Sequence, residues 1–148
     1  MSDKYIDPMA AQLGVNVSLG IGQVRLSTAS MLEEKGYMPR MESETKYLLR
    51  SNAAGGDAIM IDVEASLRAN ALMDDETNIM YVAAYLSYIQ DLWKDEYPEI
   101  DGKSDILGTL YNIGEYGSSG INSTPQSNSF GDTVKENYYK MQKLLGVK

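Results

Sequence analysis

The stretch from Asp74 to Trp93 constrains the fold most. Asp74-Asp75-Glu76-Thr77 opens it, and apolar residues then recur as Ile79, Val82, Ala83, Leu86, Ile89 and Trp93. Steps of three and four put these residues on one stripe of a helix that must be buried against something. Carboxylates in the first turn complement the positive end of the helix dipole. Pro98 and Gly102 end the region.

Helical signals extend to both sides. Ser27 is placed to cap a helix through Ala29, Met31 and Leu32 that stops at Gly36, with Pro39 shortly after. A helix is expected over Ser43 to Arg50, before Gly55-Gly56, and another from Asp57 to about Met73. In the latter, Ile59, Val63, Leu67 and Ala71 recur in four-residue steps. Ser104 or Asp105 caps a short helix through Ile106, Leu107, Leu110 and Ile113. A final helix carries Phe130, Val134, Tyr138, Met141 and Leu145. The connection from Glu115 to Gly131 reads as a loop, long enough to be either mobile or functional.

The opening differs. Val15, Val17, Leu19 and Ile21 alternate with small or polar residues, the period of an extended segment. Gly20 and Gly22 mark a turn or a close backbone approach. No internal repeat and no coiled-coil heptad run is present. The expected class is mainly α with a small β element near the N-terminus. The 148 residues fit a single domain, 1–148.

Charge and composition exclude several functions. Thirteen Lys and Arg against twenty-one Asp and Glu leave a net charge of -8, which repels phosphate backbones and argues against a nucleic-acid partner. The chain has no Cys and no His, so disulfides, thiolate or imidazole metal sites and a Ser-His triad are excluded. Neither a metal nor a cofactor is expected, and any chemistry falls to carboxylates, hydroxyls, amides or Lys. No stretch approaches the ~20 apolar residues of a membrane span. Met1 to Tyr5 lacks the basic flank and apolar run of a signal peptide. That leaves a cytoplasmic chain, one exported without a leader, or a piece of a longer polypeptide, and the localisation stays open. Glu33-Glu34, Glu42, Glu44 and Asp74-Asp75-Glu76 read as solvated helix ends. Asp95, Glu96, Glu99 and Asp101 lack the alternating ligands and closing Glu of a calcium loop.

Three segments carry a ligand-binding mixture. Gly20-Ile21-Gly22-Gln23 runs through Val24 to Thr28-Ala29, a glycine-rich extended piece feeding a helix. Asn78-Ile79 opens a helix that continues through Ala84-Tyr85-Leu86. Leu110-Tyr111-Asn112-Ile113-Gly114 closes a third. Glycines let a ligand lie on bare backbone, Gln23 and Asn112 offer paired donors and acceptors, and Tyr111 offers a ring face. Sugars suit such a set, since their C–H faces stack and their hydroxyls pair. Taken singly, each segment reads more readily as a turn, a cap or a packed ring than as a binding site.

In this order the segments resemble the lysozyme-like superfamily of lytic transglycosylases and goose-type lysozymes, over about Gly20 to Gly114. The resemblance implies a lysozyme-like α+β domain that cleaves the N-acetylmuramic acid–N-acetylglucosamine bond of peptidoglycan, as a muramidase or a lytic transglycosylase without cofactor. It implies that Gly20, Gly22 and Gln23 line a saccharide groove, with Tyr111 and Asn112 on its opposite wall. The family's general acid is a Glu upstream of the glycine-rich strand, yet no Glu precedes Glu33 here. Three alternatives stand: the acid lies upstream in a longer chain, another carboxylate (Asp7 or Glu115) serves, or the domain is catalytically silent and binds glycan or a protein. A net charge of -8 forgoes electrostatic steering to an anionic wall, and suits a module held within a larger polypeptide or assembly. A helical interaction domain with coincidental motifs is the remaining alternative.

Overall fold

The structure is a computed structural model and describes residues 16–51 and 58–147. Helices dominate it, as expected for a mainly α chain, and two small antiparallel sheets accompany them. The chain divides into two compact units, Met1–Ala84 and Tyr85–Lys148.

The first unit opens with β1 (Ser18–Leu19) and β2 (Val24–Arg25), paired with Leu19 opposite Val24. This is the small β element anticipated near the start. α1 (Leu26–Glu34) follows at once. Ser27 lies inside this helix and does not cap it. Asn16 takes that role across the hairpin: its Oδ1 accepts the Ser27 N–H at 3.0 Å and its Nδ2 donates to Ser27 Oγ at 3.0 Å. Gly36, at φ +83°, ends the helix while the Tyr37 N–H donates back to the Leu32 carbonyl at 2.8 Å.

Two helix expectations fail here. Residues 47–50 form β3 (Tyr47–Arg50), not the end of a helix, and residues 59–62 form β4 (Ile59–Asp62). The strands pair antiparallel, with Tyr47 opposite Asp62 and Arg50 opposite Ile59. Gly55 and Gly56 lie outside the described residues. The reason is legible in retrospect: Tyr47-Leu48-Leu49 and Ile59-Met60-Ile61 are unbroken apolar triplets flanking a Gly-Gly pair, a hairpin signature. The four-residue periodicity is genuine only from Val63. There α2 (Val63–Met73) begins, capped by Asp62, whose Oδ1 accepts the Ala65 N–H at 2.9 Å.

α3 (Asp75–Trp93) is the helix expected from its acidic start, and the unit boundary falls within it. Its buried face is rotated from the aliphatic stripe. Asn78, Tyr81, Tyr85, Tyr88, Ile89 and Trp93 are buried, whereas Ile79 is 55% exposed. Tyrosines bury an apolar body around a polar tip, so a reading that counts only aliphatic positions misplaces the face.

In the first unit a buried charge pair ties the elements together. Glu33, at the end of α1, has a side chain only 3% exposed. Its Oε1 accepts from Arg68 Nη2 at 3.0 Å and from the Met41 N–H at 2.8 Å. Its Oε2 accepts from Arg68 Nε and from the Tyr81 hydroxyl at 3.3 Å. One carboxylate thus joins α1, α2, α3 and the segment after α1. The solvated helix end expected at Glu33 is a correction; Glu34, its neighbour, is exposed.

In the second unit, a 3-10 turn (Pro98–Gly102) buries Ile100 and leads into α4 (Ser104–Ile113). α5 (Ser129–Leu145) follows a loop and packs on α4. Close approach there needs small residues. A Cβ on Gly131 would collide with the Asp105 carbonyl and Thr109 Oγ1, and one on Gly108 would press on Val134. Asn128 caps α5, its Oδ1 accepting the Gly131 N–H at 2.9 Å.

The buried pair generates a stability prediction. Arg68→Met strands the Glu33 carboxylate and should cost about 3–5 kcal/mol of unfolding free energy. Arg40→Met removes an exposed pair with Glu42 (61% and 72% exposed side chains) and should cost under about 1 kcal/mol. Urea melts of the two variants check this; equal midpoints would show that Glu33 is not held as described.

Candidate functional site

The first group of candidate residues is built on the β1–β2 turn. Gly20 sits at φ +72° and Gln23 at φ +51°. A left-handed conformation costs a non-glycine residue about 1 kcal/mol or more and persists only where surroundings enforce it. Two hydrogen bonds enforce it here, from the Gln23 N–H (3.1 Å) and from Gln23 Nε2 (2.9 Å), both to the Gly20 carbonyl. Gln23 is exposed, and its amide oxygen and second N–H point to no protein partner among the described residues.

Asn78 fixes the turn from beneath. Its Oδ1 accepts the Gly22 N–H at 2.8 Å, and its Nδ2 donates to the Leu19 and Leu72 carbonyls, each at 2.9 Å. A Cβ on Gly20 would strike the Leu72 carbonyl and the Asn78 amide. The close approach that Gly20 permits is therefore to the protein's own helix junction. The first two motifs meet through this one side chain.

The second group lies at the end of α4. Gly114, at φ +113°, terminates the helix just after Tyr111 and Asn112. Tyr111 is half-buried, its ring 5.4 Å from that of Tyr85 and tilted at 57°. The Tyr85 hydroxyl donates to Glu115 Oε2 at 2.7 Å, and Trp93 Nε1 donates to the Glu115 carbonyl at 2.6 Å. Glu115 is half-buried and not the freely solvated loop carboxylate its surroundings in the chain suggest. Its Oε2 faces this phenol, and no hydrogen bond to its Oε1 is made among the described residues. Asn112 is exposed and its Oδ1 accepts from Asn128 Nδ2 at 3.1 Å. Tyr85 is the residue that sequence reasoning left out of the site. Its place one motif upstream of Tyr111 was visible, but its bond to Glu115 was not.

Gly20, Gly22 and Gln23 belong to the first unit, and Tyr111, Asn112 and Glu115 to the second. Asp7, the other candidate acid, lies outside the described residues. A cavity of about 380 Å³ opens in the first unit, lined among others by Glu33, Glu34, Met41, Ser43, Glu64 and Arg68. Glu33 is an unsuitable proton donor there, because four donors already occupy its two oxygens. Among the described residues, no three acidic side chains stand close enough to hold a metal ion. No described helix is long and apolar enough to cross a membrane. No protein family, curated protein or solved structure matches this chain.

Burial, then the hydrogen bond to Glu115, raises the Tyr85 phenol well above its ordinary range. Tyr81 is pushed up to about 12, by burial first and then by the Glu33 charge. A phenol raised in the folded state favours the neutral form. Its contribution to stability is complete below the unfolded value of 10.0 and is lost as pH rises through the folded value. Burial raises Tyr111 as well, so tyrosinate absorbance should show Tyr81, Tyr85 and Tyr111 ionising late among the eleven tyrosines. In Glu115→Gln the Tyr85 step should move to lower pH. An unchanged alkaline titration would remove the Tyr85–Glu115 bond from the site.

Proposed function

We propose that this chain is a peptidoglycan-directed lysozyme-like domain, a muramidase or lytic transglycosylase acting on the N-acetylmuramic acid–N-acetylglucosamine bond. The reading rests on the resemblance of the three ordered motifs. One observation carries it: Asn78, which opens the second motif, is bonded to Gly22 of the first and to Leu19 just ahead of it. Chance matches have no reason to share a buried side chain. This bond holds Gln23 strained and exposed, with amide atoms free for sugar hydroxyls, a posture that costs stability and suggests a binding role.

In an active enzyme, a protonated carboxyl group donates to the leaving glycosidic oxygen as an oxocarbenium-like centre develops. Glu115 is the carboxylate that follows the Tyr-Asn motif in the chain, buttressed by Tyr85, whose ring packs against Tyr111. In this reading Tyr111 stacks on a sugar ring and Asn112 pairs with its hydroxyls. In the first unit, Gln23 and the turn backbone from Gly20 to Gly22 are the residues this reading assigns to saccharide hydroxyls. Peptidoglycan or a related polysaccharide is the partner.

A catalytically silent module that binds glycan is the second reading. It is favoured by the state of the glutamates, since Glu33 is saturated with donors and Glu115 already accepts a phenol.

Co-sedimentation with insoluble peptidoglycan, together with release of soluble muropeptides, tests both. Gln23→Ala and Tyr111→Ala should each weaken retention about tenfold, the loss of roughly 1.4 kcal/mol from a hydrogen-bond pair or a stack. Gln23→Ala should melt close to the parent, whereas Tyr111→Ala, which loses a ring packed on Tyr85, should melt lower while remaining folded at the assay temperature. Glu115→Gln should abolish release while sparing retention. Retention without release by the parent chain selects the silent module, and no retention at all sinks the carbohydrate reading.

A further inference from the structure

The charged cavity of the first unit plays no part in the carbohydrate reading. At about 380 Å³ it falls at the lower end of the ~300–1,000 Å³ of small-molecule sites. α1 contributes Ser30 and Glu34 to its wall, α2 contributes Glu64, and the segment leading into β3 closes the third side. That segment is tied to both helices. The Met41 N–H donates to Glu33 Oε1 at 2.8 Å, and the Ser43 N–H donates to Glu64 Oε1 at 3.4 Å.

The charges around the cavity are only partly paired. Among the described residues, three cations and four carboxylates line it, leaving one net negative charge. Arg40 pairs with Glu42 at 3.6 Å, and Arg68 pairs with Glu33. Glu33 engages only Nε and Nη2 of that guanidinium. Both N–H groups of Nη1 have no protein acceptor among the described residues, on a side chain only 12% exposed. Lys46 and Glu34 form no ion pair among the described residues. Glu64, one helical turn from Arg68, accepts only the Ser43 N–H and leaves Oε2 unbonded among them. What remains is a guanidinium donor pair and an ammonium beside two carboxylates.

This remainder selects a ligand. A phosphate or a dicarboxylate meets an excess of carboxylates, and no three acidic side chains among the described residues stand close enough for a metal ion. The described lining has no aromatic ring on which a sugar could stack. A small molecule with one carboxylate and two ammonium groups satisfies the donors and the acceptors together, through charge-assisted hydrogen bonds. Met41 adds a flexible apolar surface suited to a methylene chain. We propose that this cavity binds a free basic amino acid of the lysine type, its carboxylate held by Arg68 and Lys46 and its two ammonium groups by Glu34 and Glu64.

Isothermal titration calorimetry of the full chain with L-lysine tests this. L-Lysine should bind at millimolar concentration, less tightly as salt is raised. Cadaverine lacks the carboxylate, Nα-acetyl-lysine lacks one ammonium and norleucine lacks the other. Each should bind about tenfold more weakly, or worse. Lys46→Met and Glu34→Gln alter exposed side chains that hold no other part of the fold, so circular dichroism and melting should stay those of the parent. Each should weaken lysine binding about tenfold, whereas Glu136→Gln on α5 should leave it unchanged. No heat with millimolar lysine overturns the proposal. Equal affinity for cadaverine overturns it by reducing the cavity to an unselective cation sink, and equal affinity for glutamate overturns it by inverting the required charge. Lysine binding that survives both cavity substitutions places the ligand elsewhere and overturns it as well.

Discussion

The first unit depends on the side-chain amide of Asn78. The C-terminal carbonyls of a helix have no partners within it, and a tight hairpin turn likewise leaves an amide and a carbonyl unpaired. Asn78 meets one of the former and two of the latter, through Leu72, Gly22 and Leu19, while fully buried. No apolar residue of the same size does this, because three buried backbone groups would then lose their partners at about 1–3 kcal/mol each. The glycine at position 20 follows from the same contact, since only a residue without Cβ lets the turn settle onto that amide. The posture of Gln23 is a further consequence: the turn is closed from below, so its strain has nowhere to relax.

Much of this was legible in the chain, and what escaped did so for identifiable reasons. α1, α3, α4 and α5 announce themselves by periodicity, with helix ends at Gly36 and Gly114 that the structure uses. The β1–β2 pair shows in the alternation through Leu19. The β3–β4 hairpin did not, because Ile59 stands four residues before Val63 and so mimics another turn of α2. Propensity was outweighed by pairing between segments that no local window compares. Glu33 and Glu34 look alike in sequence. What separates them is Arg68, thirty-five positions away, whose guanidinium reaches only one of the two. The ordered motifs could be read, whereas the hydrogen bond that joins two of them could not.

Aromatic chemistry explains why carboxylates stand where they do. The chain has eleven Tyr and a single Phe, so its cores are filled with rings that carry a hydroxyl to be satisfied. Tyr81 and Tyr85 are one helical turn apart on α3, and each is buried. The first donates to Glu33 and the second to Glu115. A phenol buried beside a carboxylate resists ionisation, so each tyrosine is a dependable donor across the physiological range. Each in turn gives its glutamate a fixed rotamer.

The two glutamates then differ in how much of their capacity remains. Glu33 accepts four hydrogen bonds, two from a guanidinium, and is an anchor. Glu115 accepts at Oε2 from one phenol, and its backbone carbonyl is held by the Trp93 indole. It is oriented from both ends, and among the described residues its Oε1 accepts no hydrogen bond. Two aromatic side chains thus hold this carboxylate's residue in place, and one of them, Tyr85, also packs its ring against the half-buried Tyr111.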